Sequence, residues 1–593
     1  MRAFALILVS FLICNFGFAQ SKKDSTKTSI SKKALEEGIG LITRSNRDTV
    51  LVQNSDEEFL PFNGKIIRNI FIESVGFEKS IYGNQKPIVQ KMGRIANKLH
   101  TNTREKTIRQ NLFIKPNEKI NPYKMGDNER FLRGLDFILD SRFILTPVEG
   151  TDSVDVTILT KDVFSIGFSA GGNLTSAPIL RAYDANLDGR GQRLEFNLLF
   201  DTDRRPRTGI GASYEKKSFL GSFVDLGLFY TQINDGFSYG IEKEYSYGLK
   251  LERKLMSPYT RLAGGGQWSS NWSKNVYSRP DSVFLDYKYN VADFWIGYNF
   301  GAKKSIQDRN RMFLAVRSFK GYLIDTPVQE DFYQERSFRD INGVLTEMTF
   351  YKRDFFKTQY VYGFGRTEDV PYGYSLSPSF GIIRQEDTQR PYTGVKFNYS
   401  KGYPSGSFYI VDFNSSSFYN NSKLEDALVF TTFRYFTPAF VLGRYRLRNE
   451  INFSLAKLFN TNTNQWLEIN STQIPGLRIR DYQAEERASF RAGSQLFTPW
   501  SLIGFRIAMF GIFDMVRVRC NTCLDTENIY TGISSGLRIR NENLIFGTVE
   551  FKVTYIPNDE TGNSKFSFKF RQNLRIKSTN NFVNPPSFIR FNN

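Results

Sequence analysis

The stretch that decides the fold lies near the C-terminus, at Ser564–Lys577, and reads SKFSFKFRQNLRIK. Phenylalanine occupies every second position from Phe566 to Phe570, and serine, lysine or arginine occupies the positions between and around them. Successive side chains of a β-strand point to opposite faces, so this order gives one aromatic face and one charged face. The stretch therefore predicts a strand that lies between an apolar environment and a polar one.

The same alternation continues over most of the chain. Tyr245–Glu252, Arg444–Leu455 and Ile545–Tyr555 each place apolar side chains opposite polar or charged ones. Soluble antiparallel sheets also alternate, and an array of soluble sandwiches is the alternative. Many strands of about ten residues, aromatic on one face and charged on the other, are more typical of a transmembrane barrel with a wet interior. We therefore predict a mainly β fold, a transmembrane antiparallel β-barrel of about 16 strands (at most about 20) over residues 163–577.

The first residues predict export. Residues 1–19 combine Arg2, an apolar run and the small-x-small ending Gly17-Phe18-Ala19, which together are typical of a signal peptide. Cys14 follows Ile13 rather than a small residue, which argues against a lipoprotein. Export excludes nucleic acid as a partner. The net charge of +19 suits contact with anionic headgroups, so we expect outer-membrane lipids among the partners.

Between the signal peptide and the barrel, the sequence predicts two further regions. Residues 20–61 are polar and are predicted to form a tether, and residues 62–162 are predicted to form one compact α+β domain. The predicted elements of this domain are a strand at Lys65–Ser74, a helix around Thr103–Leu112, a second helix capped by Asp127, and strands at Ser141–Val148 and Val154–Leu159.

This order of elements and several short motifs resemble the outer-membrane insertase superfamily, whose members include BamA, TamA and the two-partner secretion transporters. Strand, helix, helix, strand, strand is the order of its periplasmic POTRA domain, and Thr107–Ile138 looks like the two helices. Asp152–Gly167 resembles the last POTRA strand where it enters the barrel, and Asn186–Gln192 (NLDGRGQ) resembles a turn early in that barrel. The resemblance implies a barrel with one N-terminal POTRA-like domain.

The resemblance also implies a tie inside the barrel. In the superfamily a long extracellular loop folds into the lumen, where the arginine of a V-R-G-[FY] motif meets an acidic residue of the wall. The motif IRDY around Arg480 and the motif IFDMV around Asp514 look like these two sites, although Asp481 and Val516 replace glycines. An Arg480–Asp514 pair is therefore expected, and two independent lumen charges are the alternative.

The sequence holds no constellation for catalysis or metal binding. Its one histidine, His100, lies in the small domain, so a serine–histidine hydrolase in the barrel wall is excluded. We predict no enzyme activity, no metal site and no cofactor. Cys520 and Cys523 have the spacing of redox motifs but lack a strand–helix–strand context, and a disulfide that closes an extracellular loop is the preferred interpretation.

The resemblance implies a protein of the cell outer membrane, with its N-terminal domain in the periplasm. The expected function is an assembly factor that helps to fold or insert β-barrel proteins through a seam between the first and last strands. A dedicated secretion pore and a structural barrel without transport activity are the alternatives. The expected partners are unfolded outer-membrane proteins, with periplasmic or lipoprotein accessory subunits. Residues 578–593 are predicted to form a periplasmic tail.

We expect the protein to fractionate with the outer membrane and to migrate faster on gels without heating than after heating, because closed barrels resist unfolding by detergent. Electrophoresis of membrane fractions checks this. Release in soluble form together with heat-independent migration would contradict the barrel.

Overall fold

The computed structural model describes residues 52–75, 101–173, 176–236, 242–302, 309–328, 340–385, 388–461, 466–469, 473–475, 477, 479–502, 505–520, 527–542, 544, 547–557, 565–572 and 583–589. The predicted signal peptide, most of the predicted tether, His100 and Cys523 lie outside these residues.

The N-terminal part of the described chain forms a small α+β domain. Its elements are a 3-10 helix (Glu57–Phe62), β2 (Ile66–Ser74), α1 (Glu105–Arg109), α2 (Pro122–Gly134), β3 (Ile138–Pro147) and β4 (Ser153–Asp162), preceded by the short β1 (Gln53–Asn54). In its sheet β4 is central, parallel to β2 and antiparallel to β3. The described elements follow the expected order of strand, helix, helix, strand and strand.

The core of the small domain forms where both helices cover one face of this sheet. Its largest contributors are Phe59, Ile67, Ile108, Met125, Leu132, Phe143, Val154, Val156 and Ile158. Alternate residues of β4 point the same way, which is why Val154, Val156 and Ile158 share this core. Because Phe59 is fully buried here, the predicted tether (20–61) extends too far, and its last residues belong to the folded domain.

Asn121 starts α2. Its side-chain oxygen accepts hydrogen bonds from the backbone N–H groups of Tyr123 and Lys124, at 3.1 and 3.2 Å. Pro122 fits the first helical position because that residue needs no backbone donor. The predicted cap at Asp127 is wrong: Asp127 lies inside α2 and is buried.

The rest of the described chain builds one sheet of 22 strands, including β1 and the short β19 (Phe440–Leu442), which leaves twenty long strands. These are β5 (Ile166–Asn173), β6 (Ala177–Asp184), β7 (Gln192–Phe200), β8 (Thr208–Lys216), β9 (Asp225–Asp235), β10 (Lys243–Arg253), β11 (Leu262–Lys274), β12 (Lys288–Phe300), β13 (Arg311–Asp325), β14 (Ile341–Thr358), β15 (Glu368–Gln385), β16 (Thr388–Gly402), β17 (Phe408–Asn420), β18 (Lys423–Phe436), β20 (Tyr445–Phe459), β23 (Glu486–Leu502), β24 (Phe505–Arg519), β25 (Glu527–Arg540), β26 (Val549–Tyr555) and β27 (Phe566–Gln572). A separate small sheet joins β21 (Leu467–Ile469) to β22 (Ile479–Ala484).

The long strands run antiparallel in chain order, and the first and last of them, β5 and β27, are neighbours in the sheet. The predicted antiparallel, barrel-type fold is confirmed, and the twenty long strands of the described residues lie at the upper limit of the predicted range of about 16 to 20. The prediction was a range because strands over residues 163–577 were estimated from alternation, which does not mark where a long strand turns.

The sheet has an apolar outer face and a polar inner face. Phe294, Ile296 and Phe380 are among the large apolar side chains exposed on the outside. Glu347 and Asp514, which point inward, are buried. Such an inverted arrangement is typical of a barrel that spans a bilayer. In the part of the chain that the structure describes, no helix is long and apolar enough to cross a membrane.

The motif Asn186–Gln192 forms a turn that holds the small domain. The Asn186 side chain donates to Thr103 Oγ1 (2.8 Å) and accepts from the backbone N–H of Gly191 (2.7 Å). Gly189 has a φ of +66°, and a Cβ there would lie 2.3 Å from the Asn102 carbonyl oxygen. Glycine is therefore needed for the turn to approach the start of α1.

A buried network of charges joins α2 to the end of the barrel on which the small domain sits, called here the domain end. Arg133 donates to both oxygens of Asp369 in β15, at 3.0 and 2.7 Å, and to Glu129 at 2.5 Å. Lys357 of β14 lies 2.8 Å from Glu129. Burial would raise the pKa of Glu129, but Arg133 and Lys357 hold that pKa below its ordinary value. Glu129 therefore stays ionised and links the two cations.

Residues 583–589 lie inside the barrel, which corrects, for this part of the chain, the prediction of a periplasmic tail over residues 578–593. Val583 packs against inward-facing residues such as Phe313, and the carbonyl oxygen of Pro586 accepts a hydrogen bond from Arg317 at 2.9 Å. The physical reason is that the tail carries apolar side chains, including Phe588, for which the inner wall provides aromatic neighbours.

We predict that Arg133→Ala loosens the small domain from the barrel, at a cost of about 3–5 kcal/mol, since it leaves Asp369 and Glu129 buried without their shared partner. Hydrogen exchange of the α2 amides in the detergent-solubilised protein measures the loss. Arg109→Ala is the control, because the contacts of Arg109 with Glu105 and with the Ile70 carbonyl oxygen lie within the small domain, and the exposed pair with Glu105 is worth only about 0.3–0.5 kcal/mol. Equal exchange in the two variants would contradict the role of the network.

Candidate functional site: the filled lumen and the junction of the first and last strands

The inner wall is lined by charged side chains that pair with one another. The pairs include Arg317–Asp293 (2.6 Å), Lys396–Glu347 (2.8 Å), Arg390–Asp426 (2.8 Å), Arg491–Asp514 (2.5 Å) and Arg538–Glu550 (2.8 Å). A charged side chain that is shielded from bulk water needs a partner of opposite charge, and residues of nearby strands provide these partners in a fixed register. Because its charges are paired, the inner wall can be covered by protein segments.

The segment between β20 and β23, residues 460–485, folds back onto the wall at the far end from the small domain, and we call it the lumen loop. Its buried apolar residues are Leu467, Ile469, Ile474, Leu477 and Ala484. They pack against the inward-facing wall residues Leu428, Ala456, Leu458, Val516, Val518 and Tyr530. This fold-back is the one that the resemblance implies, and it fills the far end of the lumen.

Asp514 makes its described ion pair with Arg491 on the neighbouring strand. The two residues stand directly opposite each other in the register of β23 and β24, and Arg491 Nε donates to Asp514 Oδ1 at 2.5 Å. Arg491 also donates to the carbonyl oxygen of Gln473 in the lumen loop, at 3.1 Å. Arg480 lies in β22 of the same loop, but its side chain is outside the described residues, so its pairing with Asp514 stays a prediction.

A second inward fold fills the domain end of the lumen. It is the basal turn, residues 359–367, between β14 and β15. The Glu368 carboxylate accepts hydrogen bonds from the backbone N–H groups of Val361, Tyr362 and Gly363, at 2.8–2.9 Å. The ring of Phe364 packs edge-on against Phe497. One glutamate thus holds the backbone of the turn in the barrel mouth.

A cavity of about 200 Å³ lies between α2 and the basal turn. Its lining includes Arg130, Arg133, Tyr362, Glu368 and Phe408. It has room for several water molecules but not for a polypeptide.

The junction of β5 and β27 differs from the rest of the wall. Their described lengths are 8 and 7 residues, as are those of the adjoining β6 and β26, so this whole part of the wall has shorter strands than β14 and β15, which have 18 residues each. β5 and β27 are hydrogen-bonded neighbours in the sheet, but within the described residues they contact each other at fewer positions than any other two neighbouring long strands.

Exposure of the outward side chains singles out β27. Phe568 of β27 is 77% exposed, the highest value for a large apolar side chain on the described long strands. Phe168 of β5 is 66% exposed, which is no more than Ile296 on the fully paired β12, at 65%.

Cys520 follows the end of β24, is fully buried and is disulfide-bonded. Cys523 lies outside the described residues, so the predicted pairing of these two residues stays a prediction. Among the residues that the structure describes, no group of three or more His, Cys, Asp or Glu side chains could hold a metal ion.

Sequence reasoning missed three parts of this site: the Arg133–Asp369 pair, the basal turn and the tail within the lumen. Arg133 and Asp369 are 236 positions apart, and their pairing depends on how the domain docks. The tail did offer a signal, because the apolar sequence PPSFI at residues 585–589 does not suit a solvated segment.

We predict a coupling of about 1–3 kcal/mol between Arg491 and Asp514 in a double-mutant cycle with alanine, because loss of Arg491 leaves a buried carboxylate unmatched. Free energies of unfolding in urea measure it. The control cycle uses Arg434 and Asp412, whose 3.6 Å pair is more exposed and should couple less. A near-zero value for Arg491 and Asp514 would contradict the pairing, and the same cycle with Arg480→Ala tests the predicted Arg480–Asp514 tie.

Solved structures similar to this chain include BamA from Haemophilus ducreyi lacking POTRA domains 1–3, at 12% identity and a TM-score of 0.28, over 93% of this chain and 94% of that one. CdiB from Acinetobacter baumannii is similar at 10% identity and a TM-score of 0.37, over 92% of this chain and 80% of that one. CdiB from Escherichia coli is similar at 9% identity and a TM-score of 0.34, over 86% of this chain and 76% of that one. No protein-family model matches the sequence, and no curated protein matches it.

Proposed function

We propose that the protein is an outer-membrane assembly factor, which helps β-barrel proteins to fold or insert through the junction of β5 and β27. The observation that carries this proposal is the junction itself: within the described residues, β5 and β27 contact each other less than any other neighbouring long strands, and Phe568 of β27 is 77% exposed. A weakly paired edge can accept a further strand by backbone hydrogen bonding.

The sequence of β5 supports this role. Gly167, Ser169 and Gly171 occupy its inward face, and glycine and serine give a strand little side-chain packing. A strand with few packing contacts separates from its neighbour at lower cost than a strand of aromatic and β-branched residues. A client strand that pairs with β5 or β27 would therefore replace a weak contact with a longer ladder.

The filled lumen supports lateral traffic over passage through the barrel. The lumen loop, the basal turn and the C-terminal segment all occupy the interior, and the remaining cavity at the domain end measures about 200 Å³. A secretion pore would need all three segments to leave together. A junction that opens sideways needs none of them to move.

In this proposal the barrel spans the outer membrane and the small domain lies in the periplasm. The domain receives unfolded outer-membrane proteins, and periplasmic or lipoprotein subunits could assist it. Its strand β2 pairs with β4 on one side, and on the other side its first residues bond to residues 117–120, so strand addition would use the part of β2 after Ile67. Outer-membrane lipids contact the apolar outer face.

We predict that a disulfide across the junction abolishes function and that reduction restores it. Ser169→Cys on β5 is combined in turn with Cys at Ser567, Lys569 and Arg571 of β27, because a disulfide forms only where the Cα atoms are about 4.4–6.8 Å apart. Depletion of the native protein followed by an outer-membrane proteome measures function in cells that carry the locked variant.

The matched control is a disulfide between Lys552→Cys and Lys569→Cys, which are directly paired in the register of β26 and β27. It crosslinks two strands of the wall but leaves the junction free, so it should keep function. Full activity of a protein whose junction is quantitatively crosslinked would contradict lateral opening. Loss of one secreted protein on depletion, with other barrels unaffected, would favour the secretion pore.

A further inference from the structure

The C-terminal segment, Val583–Ile589, is held in the lumen largely through its backbone. The Pro586 carbonyl oxygen accepts from Arg317 Nη1 at 2.9 Å, and the Ile589 N–H donates to the Tyr392 hydroxyl at 3.1 Å. The Ser587 hydroxyl accepts from Lys396 Nζ at 2.9 Å. Two of these three bonds would form with almost any extended chain in this position.

One side chain of the segment enters a pocket of its own. The ring of Phe588 packs edge-on against Tyr392 and Phe319, with ring centroids 4.8 and 5.6 Å apart, and is stacked with Phe418 at 6.3 Å. Edge-on and stacked contacts are the favourable geometries for aromatic pairs. Three rings from three strands therefore select an aromatic side chain at this point.

The wall around this pocket is organised before the segment binds. Arg317 is fixed by a bidentate pair with Asp293, at 2.8 and 2.6 Å, and Lys396 is fixed by Glu347 at 2.8 Å. Each cation keeps one further donor for the segment. We call this surface, formed by Arg317, Phe319, Lys396, Tyr392 and Phe418, the tail groove.

The segment is bound as a ligand rather than built in as a strand. The described residues 583–589 have no strand assignment, whereas each barrel strand is held by a register of paired residues. Ten residues, 573–582, connect the segment to β27, and ten residues can extend to about 33–36 Å. The segment can therefore leave the groove without unpairing β27.

We propose that the tail groove is a binding site for an extended peptide that carries an aromatic side chain, and that the C-terminal segment is its resident, displaceable ligand. The recognition is two-fold: the peptide backbone accepts a hydrogen bond from Arg317 and donates one to the Tyr392 hydroxyl, and one aromatic pocket holds the side chain. The inference does not depend on whether the barrel inserts or secretes proteins.

The test uses the full chain in detergent and a fluorescent peptide with the sequence of residues 583–593, VNPPSFIRFNN. In the native protein the tethered segment competes at high effective concentration, so the free peptide should bind weakly. Phe588→Ala weakens the resident segment, and the peptide should then bind on the order of tenfold or more tightly. Asn584→Ala, a change at an exposed residue of the same segment, should leave the affinity at the native value.

A second peptide, with alanine at the position of Phe588, tests the aromatic pocket and should bind no variant. Equal affinity of the first peptide for the native protein and both variants would overturn the proposal. So would equal affinity of the two peptides for Phe588→Ala. Heat-dependent migration on gels verifies that the variants fold.

If Phe588→Ala does not fold, a photocrosslinking experiment that leaves the wall residues unchanged tests the same proposal. A photoreactive benzoylphenylalanine at position 588 should crosslink to β13, β16 or β17, which carry the three rings. An excess of the peptide with the native sequence should lower the crosslink yield, and an excess of the peptide with alanine at the position of Phe588 should not. Crosslinks elsewhere, or a yield that neither peptide changes, would overturn the proposal.

Discussion

A sheet that faces hydrocarbon must pair its backbone N–H and C=O groups within itself, and the rest of this structure depends on that constraint. Most of the wall meets it with long, registered ladders, such as the 18-residue strands β14 and β15. The first and last strands of the sheet must also pair with each other. Within the described residues those two strands, β5 and β27, contact each other less than any other neighbouring long strands, so the constraint is met least well at this one place.

The polar inner face creates a second requirement, because buried charges need partners. Ion pairs between neighbouring strands, such as Arg317–Asp293 and Arg491–Asp514, provide these partners. Some of the same side chains have donors to spare, and these hold backbone from the segments that fill the lumen: Arg491 holds the lumen loop and Arg317 holds the C-terminal segment. Charge pairing and lumen filling are therefore parts of one arrangement.

Paired buried charges also hold the small domain against the barrel. Arg133 of the domain and Lys357 of the barrel both form ion pairs with Glu129 of α2. A network that is fully paired only when the two parts are in contact favours the docked state. The turn at Asn186 adds uncharged hydrogen bonds to the same interface.

Sequence alternation was sufficient for the fold class, because period two is a local property: Phe566, Phe568 and Phe570 lie outward as expected. It gave the strand number only as a range of about 16 to 20 and placed the α2 cap at Asp127 rather than Asn121, since apolar spacing locates the middle of an element better than its end. The contacts of Arg133 with Asp369 and of Phe588 with Phe319 could not be predicted, because each joins parts of the chain whose proximity only the closed fold establishes.

The central claim is that the junction of β5 and β27 is the weakest part of the wall. Amide hydrogen exchange of the protein in lipid bilayers, resolved by strand, tests it most directly. The account predicts that amides of β5 and β27 exchange on the order of a hundredfold faster than those of β14 and β15. Equal protection of all four strands would contradict it.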